Sequence, residues 1–333
     1  MNIPCSILDL STVGTGSTAT QAIADSVKLA QLGEQLGFKR HWFAEHHSMP
    51  SVATSTPELL MSHVAAATES IRVGSGGVML PNHAPLKVAE RFHTLEALHP
   101  GRIDLGIGRA PGTNQETVRA LRAVDASNFP GQLVELEGLS RGTLPAGHEF
   151  SSVQVMPDDV ELPPIWILGS SGASARLAGQ RGHGYSFATH FSQNDPRPAL
   201  RAYRDNFEPS EAFDEPHVIM AVGVICAESQ EHADFLAGSW DLAMLRLRQG
   251  NHTRFPSPEV AAERQYSQLE KQVIAAHRRS QFIGTPESVR DELESFVEMT
   301  DADELIVASF LHSHEERVKS LRLLADALGV SSE

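Results

Sequence analysis

Three short runs of this sequence carry side chains that could do chemistry. The first, HWFAEHHSMP, sets Glu45, His46 and His47 side by side just after an aromatic segment. Adjacent histidines cannot both face one metal ion from a helix, and the HExxH spacing of zinc sites is absent, so no metal is expected. One imidazole turned toward a ligand can donate a hydrogen bond or move a proton near neutral pH. The plainer alternative is a structural histidine whose hydrogen bonds are satisfied. The second run, WILGSSGASARLAGQRG, reads as a strand, a Gly/Ser turn and a helix. Gly169, Ser170, Ser171, Gly172 and Ser174 would place backbone N–H groups and hydroxyls at the helix N-terminus, an arrangement that binds anions and above all phosphate. Serine and glycine also simply cap helices. The third run, PGRIDLGIGRAPG, opens with Arg102 and puts Arg109 just past a candidate strand. A guanidinium there can grip a phosphate or carboxylate through two hydrogen bonds, or pair with a loop carboxylate nearby.

Two glycine patterns need separate readings. Gly74, Gly76 and Gly77 crowd into the strand-like run VGSGGVMLP, which suggests close approach of a ligand or of another backbone, or a strained or cis peptide. Gly106, Gly108 and Gly112 follow a strand much as a dinucleotide fingerprint would. Their spacing is GxGxxxG rather than GxGxxG, Pro111 stiffens the turn, and Asp125 lies in a helical stretch rather than ending a strand.

The elements that must position these groups alternate along the chain. Short apolar runs at Ile3–Leu10, His41–Ala44, Ile71–Leu80, Arg102–Gly106, Ile165–Leu168, Gly184–Ala188, His217–Cys226 and Glu304–Ser309 read as strands buried on both faces. Helical patterns lie between them. In the first, Ile23, Val27 and Ala30 form a stripe that ends at Gly37, a candidate C-cap. Pro57 and Pro286 sit at first-turn positions behind Thr56 and Thr285 as candidate N-caps. Eight such repeats predict an α/β protein, a (β/α)8 TIM barrel spanning residues 1–333 as one domain, over an open doubly wound sheet. Two stretches break the rhythm: 131–164, expected as loops with a short hairpin before strand 5, and 238–279, after strand 7. The latter is polar and partly helical (Trp240–Arg248, Ala261–His277), a candidate lid, surface insertion or dimerisation element. In a barrel the C-terminal ends of strands face the active site. Arg109 then points into the mouth and Arg102 is structural; Asp9, Asn82 and His83 become candidates for the substrate pocket, or turn and capping residues.

Composition narrows the function. A net charge of −15 over 333 residues argues against nucleic-acid and anionic-membrane partners. Cys5 and Cys226 lie in separate apolar runs and are expected as reduced core residues. With no signal-peptide pattern and no apolar stretch approaching the roughly 18 residues of a membrane span, the protein is expected in the cytoplasm.

The motifs AEHHSMP, GSGGVMLPNHAPLKVAERFHTLEALHPGRIDLGIGRAPGT, LPPIWILGSSGASARLAG and FIGTPESVRDELESF with DELIVAS resemble, in order from Cys5 to about Leu324, the luciferase-like flavin-dependent oxidoreductases. The resemblance is weakest over 131–159 and 238–279. It implies a barrel, usually dimeric, with FMN at its C-terminal mouth. It makes His46 the catalytic histidine beside the flavin and sets Gly76–Gly77 where the family often has a non-prolyl cis peptide against the ring. It puts Arg109, Ser171 and Ser174 at the phosphate, with Ser170 where the light-emitting enzyme's α-subunit has an acidic residue. Gly108 stands where that subunit has a cysteine, which argues against light emission. The implied activity is a two-component monooxygenase that receives reduced FMN from a separate flavin reductase and uses O2 on a small organic substrate. The same fold also serves F420-dependent hydride transfer and non-catalytic flavin binding.

Overall fold

The computed structural model describes residues 3–109 and 112–331. Its strands are β1 (Cys5–Asp9), β2 (Arg40–Phe43), β3 (Arg72–Ser75), β4 (Val78–Met79), β5 (Ile103–Gly108), β6 (Ile165–Gly169), β7 (Gly184–Ala188), β8 (Val218–Cys226), β9 (Gln281–Gly284) and β10 (Glu304–Ala308). All pairings between them are parallel. The sheet closes because β10 pairs with both β8 and β1. Eight staves result, with β3 and β4 forming one broken stave, and helices between them: a TIM barrel. The expected strands are all present; the run Ile71–Leu80 is interrupted by a cis Gly76–Gly77 bond. Closure removes the open-sheet alternative, and Gly106 and Gly108 lie inside β5 rather than in a phosphate-binding turn. Pro111 is outside the described residues.

Period-two burial sorts the staves' side chains into two layers. Ile7, Phe43, Val73, Ile103, Leu105, Ile107, Ile165 and Ile167 pack outward against the helices. Leu8, Trp42, Ala44, Trp166, Ile219, Ala221, Ile306 and Ala308 form a second cluster, joined by Phe255, Phe310 and Trp240. Helix Ala19–Leu36 buries Ala22, Leu29, Ala30 and Leu32 and stops at Gly37, whose φ of 90° is the left-handed conformation of a C-cap. Thr285 caps helix Pro286–Thr300 by accepting from the Ser288 N–H, whereas Thr56 makes no such bond. Cys5 and Cys226 are buried free thiols on β1 and β8.

The N-terminal ends of the staves are locked by buried charge. Arg40 opens β2 and reaches to β5 and β10, bonding Asp104 at 2.9 Å and Glu304 at 2.7 and 2.9 Å. Arg72 and the Trp42 indole N–H also bond Asp104, and the Ser6 hydroxyl bonds Glu304. The Arg40 guanidinium lies 4.8 Å from the Trp166 ring. Arg102, as expected, is structural: it donates to the Ala65, Thr68 and Ile71 carbonyls.

Two expectations need correcting. Residues 131–141 are not loop: they belong to helix Phe129–Arg141, which buries Leu133, Leu136 and Leu139. Pro130 sits in the helix's first turn, where its missing N–H costs nothing. No hairpin occurs at 142–164 among the described residues. Within 238–279, helix Gln230–Arg248 starts earlier than expected. The expected helix Ala261–His277 is two, Pro258–Ala262 and Gln268–Arg278, separated where Ser267 and Glu270 form a capping box. The sequence reading missed β9, which extends the sheet beside Gly223–Cys226 of β8.

Candidate active site

A cavity of about 490 Å3 occupies the C-terminal mouth of the barrel, within the size range of small-molecule and cofactor sites. At one place its wall is made by Gly169, Ser170, Ser171, Ala173 and Ser174, where β6 turns into helix Gly172–Gln180. Ser171 is the N-cap residue, yet its side chain does not cap, so the first-turn N–H groups lack the partner an N-cap usually supplies. The Ser174 hydroxyl bonds back to the Ser171 carbonyl at 2.9 Å. Arg109, just past β5, also lines the cavity; it is exposed and has no hydrogen bond or ion pair among the described residues. A helix start with uncapped donors and an unpaired guanidinium on one cavity is an arrangement that can hold an anion.

Glycines let the wall pass close to the site. Gly76 lines the cavity, and a Cβ there would stand 2.6 Å from the Leu8 methyl; one on Gly77 would stand 2.7 Å from the Gly106 carbonyl oxygen. Met79, Leu8 and Leu168 complete this apolar side.

The run Glu45–His47 splits into different tasks. His46 lines the cavity, and its Nδ1 lies 3.2 Å from the Gly112 carbonyl. A carbonyl only accepts, so Nδ1 carries the proton of the neutral ring and Nε2 keeps its lone pair. Burial lowers the imidazole's pKa against the pull of the Gly112 carbonyl and Glu45. Glu45 turns away and is fully buried, accepting from His47 Nε2 at 2.8 Å, the Met79 N–H at 2.8 Å, Asn82 at 3.0 Å and His83 at 3.0 Å. Burial alone would raise its carboxyl, but these donors hold it down at about 2.

Asn82 and His83 are therefore spent on Glu45 and do not line the cavity. Asp9 does not line it either: it is buried, accepts from the Ser11 N–H at 2.8 Å, and faces His41 at 3.5 Å and Arg317 at 3.6 Å. His46, Gly76, Arg109, Ser170, Ser171 and Ser174 do meet on one cavity; Gly77 and Gly172 stand next in chain to its lining residues.

The sequence reading missed His190, two residues beyond β7, which shares the cavity wall with Ser186, Phe191 and Ala221. The strand-end rule that selected Arg109 would have found it. It also missed an aromatic annex of about 110 Å3 that touches the main cavity at Leu10, His46 and Phe191. Trp240 and Phe310 stack there at 3.9 Å and 5°, with Phe255 6.0 Å from Trp240 on a nearly parallel plane. Part of the candidate lid forms this annex, strapped to the loop after β1 by Thr15 N–H to Phe255 O (2.9 Å) and Phe255 N–H to Val13 O (3.0 Å). Among the described residues, no cluster of histidine, cysteine and carboxylate side chains could hold a metal, and no helix is long and apolar enough to cross a membrane.

Comparison with known proteins agrees over most of the chain. The luciferase-like monooxygenase family signature matches residues 3–303. A luciferase-like monooxygenase of Escherichia coli (strain K12) is 39% identical, covering 97% of this chain and 96% of its own. The N-acetyl-S-alkylcysteine monooxygenase of Bacillus subtilis (strain 168) is 34% identical over 98% of both chains. Among solved structures, apo-MsnO8 superposes with a TM-score of 0.87 at 34% identity over 100% of each chain. The FMN complex of the oxygenating constituent of 3,6-diketocamphane monooxygenase from Pseudomonas putida shares the fold, with a TM-score of 0.72 at 18% identity over 99% of each chain.

Proposed function

The chain belongs to the luciferase-like monooxygenase family, and from that premise we propose that it is the oxygenase of a two-component system, receiving reduced FMN from a separate flavin reductase and using O2 to oxygenate a small organic substrate. The observation that carries the reading is the composition of one cavity: free anion donors at Arg109 and the Gly172–Gln180 helix start, a glycine wall at Gly76, and His46. A phosphate-bearing cofactor with a flat ring fits that set. Reduced flavin would bring the electrons and the reaction with O2.

The chain's own residues do the rest. Arg109 and the N–H groups of the helix start hold the phosphate, while the missing side chain of Gly76 leaves room for the ring. His46, neutral at pH 7 because burial disfavours its charged form, offers Nε2 as a proton acceptor. Phe191, Trp240 and Phe310 keep water from the inner wall, and their annex takes the apolar part of the substrate. The Bacillus relative is named for an S-alkyl substrate, which is consistent with such an annex.

Anaerobic titration with reduced FMN and, separately, with reduced F420, followed by mixing with O2, tests the proposal. Tight binding of reduced FMN and an absorbance course unlike that of free flavin support it. Preference for F420 would move the reading to hydride transfer, and FMN reoxidising as it does free in solution would move it to simple flavin binding.

A further inference from the structure

We propose that His190 is a second catalytic imidazole and that it works with His46 as a pair of Nε2 acceptors taking up one proton between them. The inference rests on the proposed cavity chemistry for its catalytic part alone; the pair itself is a property of the chain.

The two rings are fixed in the same way. His190 is 4% exposed, and its Nδ1 lies 3.1 Å from the Ala221 carbonyl, as His46 Nδ1 lies 3.2 Å from that of Gly112. Each carbonyl requires an N–H opposite it, so both neutral rings carry their proton on Nδ1 and leave a lone pair on Nε2. Neither Nε2 has a partner among the described residues. The His190 backbone is pinned as well: its N–H donates to the Ala221 carbonyl at 3.1 Å, and its carbonyl accepts from Gln281 Nε2 at 3.1 Å. The ring packs against Phe191 with centroids 4.3 Å apart and against Phe310 at 6.1 Å. This much fixation is excessive for a side chain that only fills space, and the ring still forms part of the cavity wall.

Apart from these two imidazoles, Arg109, which cannot accept a proton, is the only titratable group lining the cavity among the described residues. A proton released inside has two bases to go to. The groups facing His190 are His46 and, from helix Gln268–Arg278, His277; β8 and β9 present only the Ala221 carbonyl and the Gln281 amide. Burial, against the pull of the Ala221 carbonyl and with repulsion from the two histidines, holds His190 at about 4. His46 is faced by Glu45 and His47, and Glu45 favours its charge. The Glu45 carboxylate favours charge on His46, and a charge there disfavours a second on His190, so the shared proton is placed on His46. In the step, an O–H acid bound in the cavity breaks its O–H bond and an N–H bond forms at His46 Nε2. The donor is left as an anion beside the imidazolium, and His190 Nε2 accepts a hydrogen bond from the bound substrate or product. The proton returns to the oxygen anion when product forms.

The test uses long-range 1H–15N NMR of the histidine rings in the cofactor-free protein, across a pH series, with two variants. Wild type should show both neutral rings protonated on Nδ1, with His190 staying neutral down to about pH 4. In His46→Gln, His190 should titrate at a higher pH than in wild type. An Nε2–H tautomer at His190, or an unchanged His190 titration in His46→Gln, would overturn the pair whatever the enzyme's reaction proves to be. His190→Asn keeps a side-chain donor for the Ala221 carbonyl while deleting the base. It should lower kcat by about 100-fold, alter the pH profile, and leave melting temperature and FMN affinity as in wild type. Unaltered kcat, or loss confined to folding and FMN binding, would reduce His190 to a structural residue.

Discussion

Replacing Arg109 by Met separates the phosphate grip from everything else the cavity does. Methionine keeps much of the aliphatic stem and removes the charge. A hydrogen bond to a charged group contributes about 1.5–3 kcal/mol when shielded. Arg109 is exposed and has no carboxylate partner among the described residues, so solvent screening places it at the low end, near 1.5 kcal/mol. The helix start should retain roughly 0.3–1 kcal/mol of its own attraction for phosphate. Arg109→Met should thus weaken FMN binding about tenfold without abolishing it. Riboflavin has the same ring and no phosphate, so its dissociation constant should stay within about twofold. The FMN preference of wild type should shrink as salt is raised toward about 1 M, where screening is short-ranged, and the variant should respond less. Flavin fluorescence titrations of both ligands at two salt concentrations measure all of this. Equal weakening of FMN and riboflavin would show that Arg109 supports the fold or the ring, and an unchanged FMN affinity would place the phosphate elsewhere; either result refutes the reasoning.

Arg40→Met leaves Asp104 and Glu304 buried without their shared cation, and should destabilise the protein by about 3–5 kcal/mol in urea unfolding; a loss under about 1 kcal/mol would contradict the proposed lock. Glu45 drops from an ordinary 4.5 to about 2 on folding, so its stabilisation is complete above pH 4.5 and is lost as pH falls toward 2. On the order of 3 kcal/mol is at stake, and Glu45→Gln should flatten the acid side of a melting-temperature profile. Gly106→Ala would set a Cβ 1.9 Å from the Ser75 carbonyl oxygen, a backbone atom, and should prevent folding. Gly76→Ala meets the Leu8 methyl at 2.6 Å and should cost about 1–3 kcal/mol while weakening flavin binding; comparable damage from both, judged by soluble yield and thermal shift, would argue against this distinction.

The staves were legible because strands buried on both faces read as uninterrupted apolar runs. Arg109, His46 and Ser170–Ser174 were legible because polar groups at the ends of such runs have few other reasons to be there. Asp9, Asn82 and His83 met the same criterion, and it failed for them: Asp9 turns to His41 and Arg317, and Asn82 and His83 turn to Glu45, partners that spacing alone does not reveal. Arg40 and Glu304 lie 264 positions apart and had no local signal at all. The annex is built from Phe191, Trp240, Phe255 and Phe310, four segments brought together only by the closed barrel and its strap. The loop expected from residue 131 failed because the proline just before it, Pro130, opens a helix rather than ending one.

The lock of Arg40, Asp104 and Glu304 beneath Trp42 and Trp166 also governs traffic. With those carboxylates fully buried and the two indoles packed edge-on at 5.7 Å above them, the tube has a floor. On the proposed function, cofactor, substrate and product would then share the mouth as their doorway. Exchange then becomes a queue in which each departure is a condition for the next arrival. Excess oxidised FMN should consequently act as a competitor at the doorway itself, slowing turnover without touching the chemistry inside.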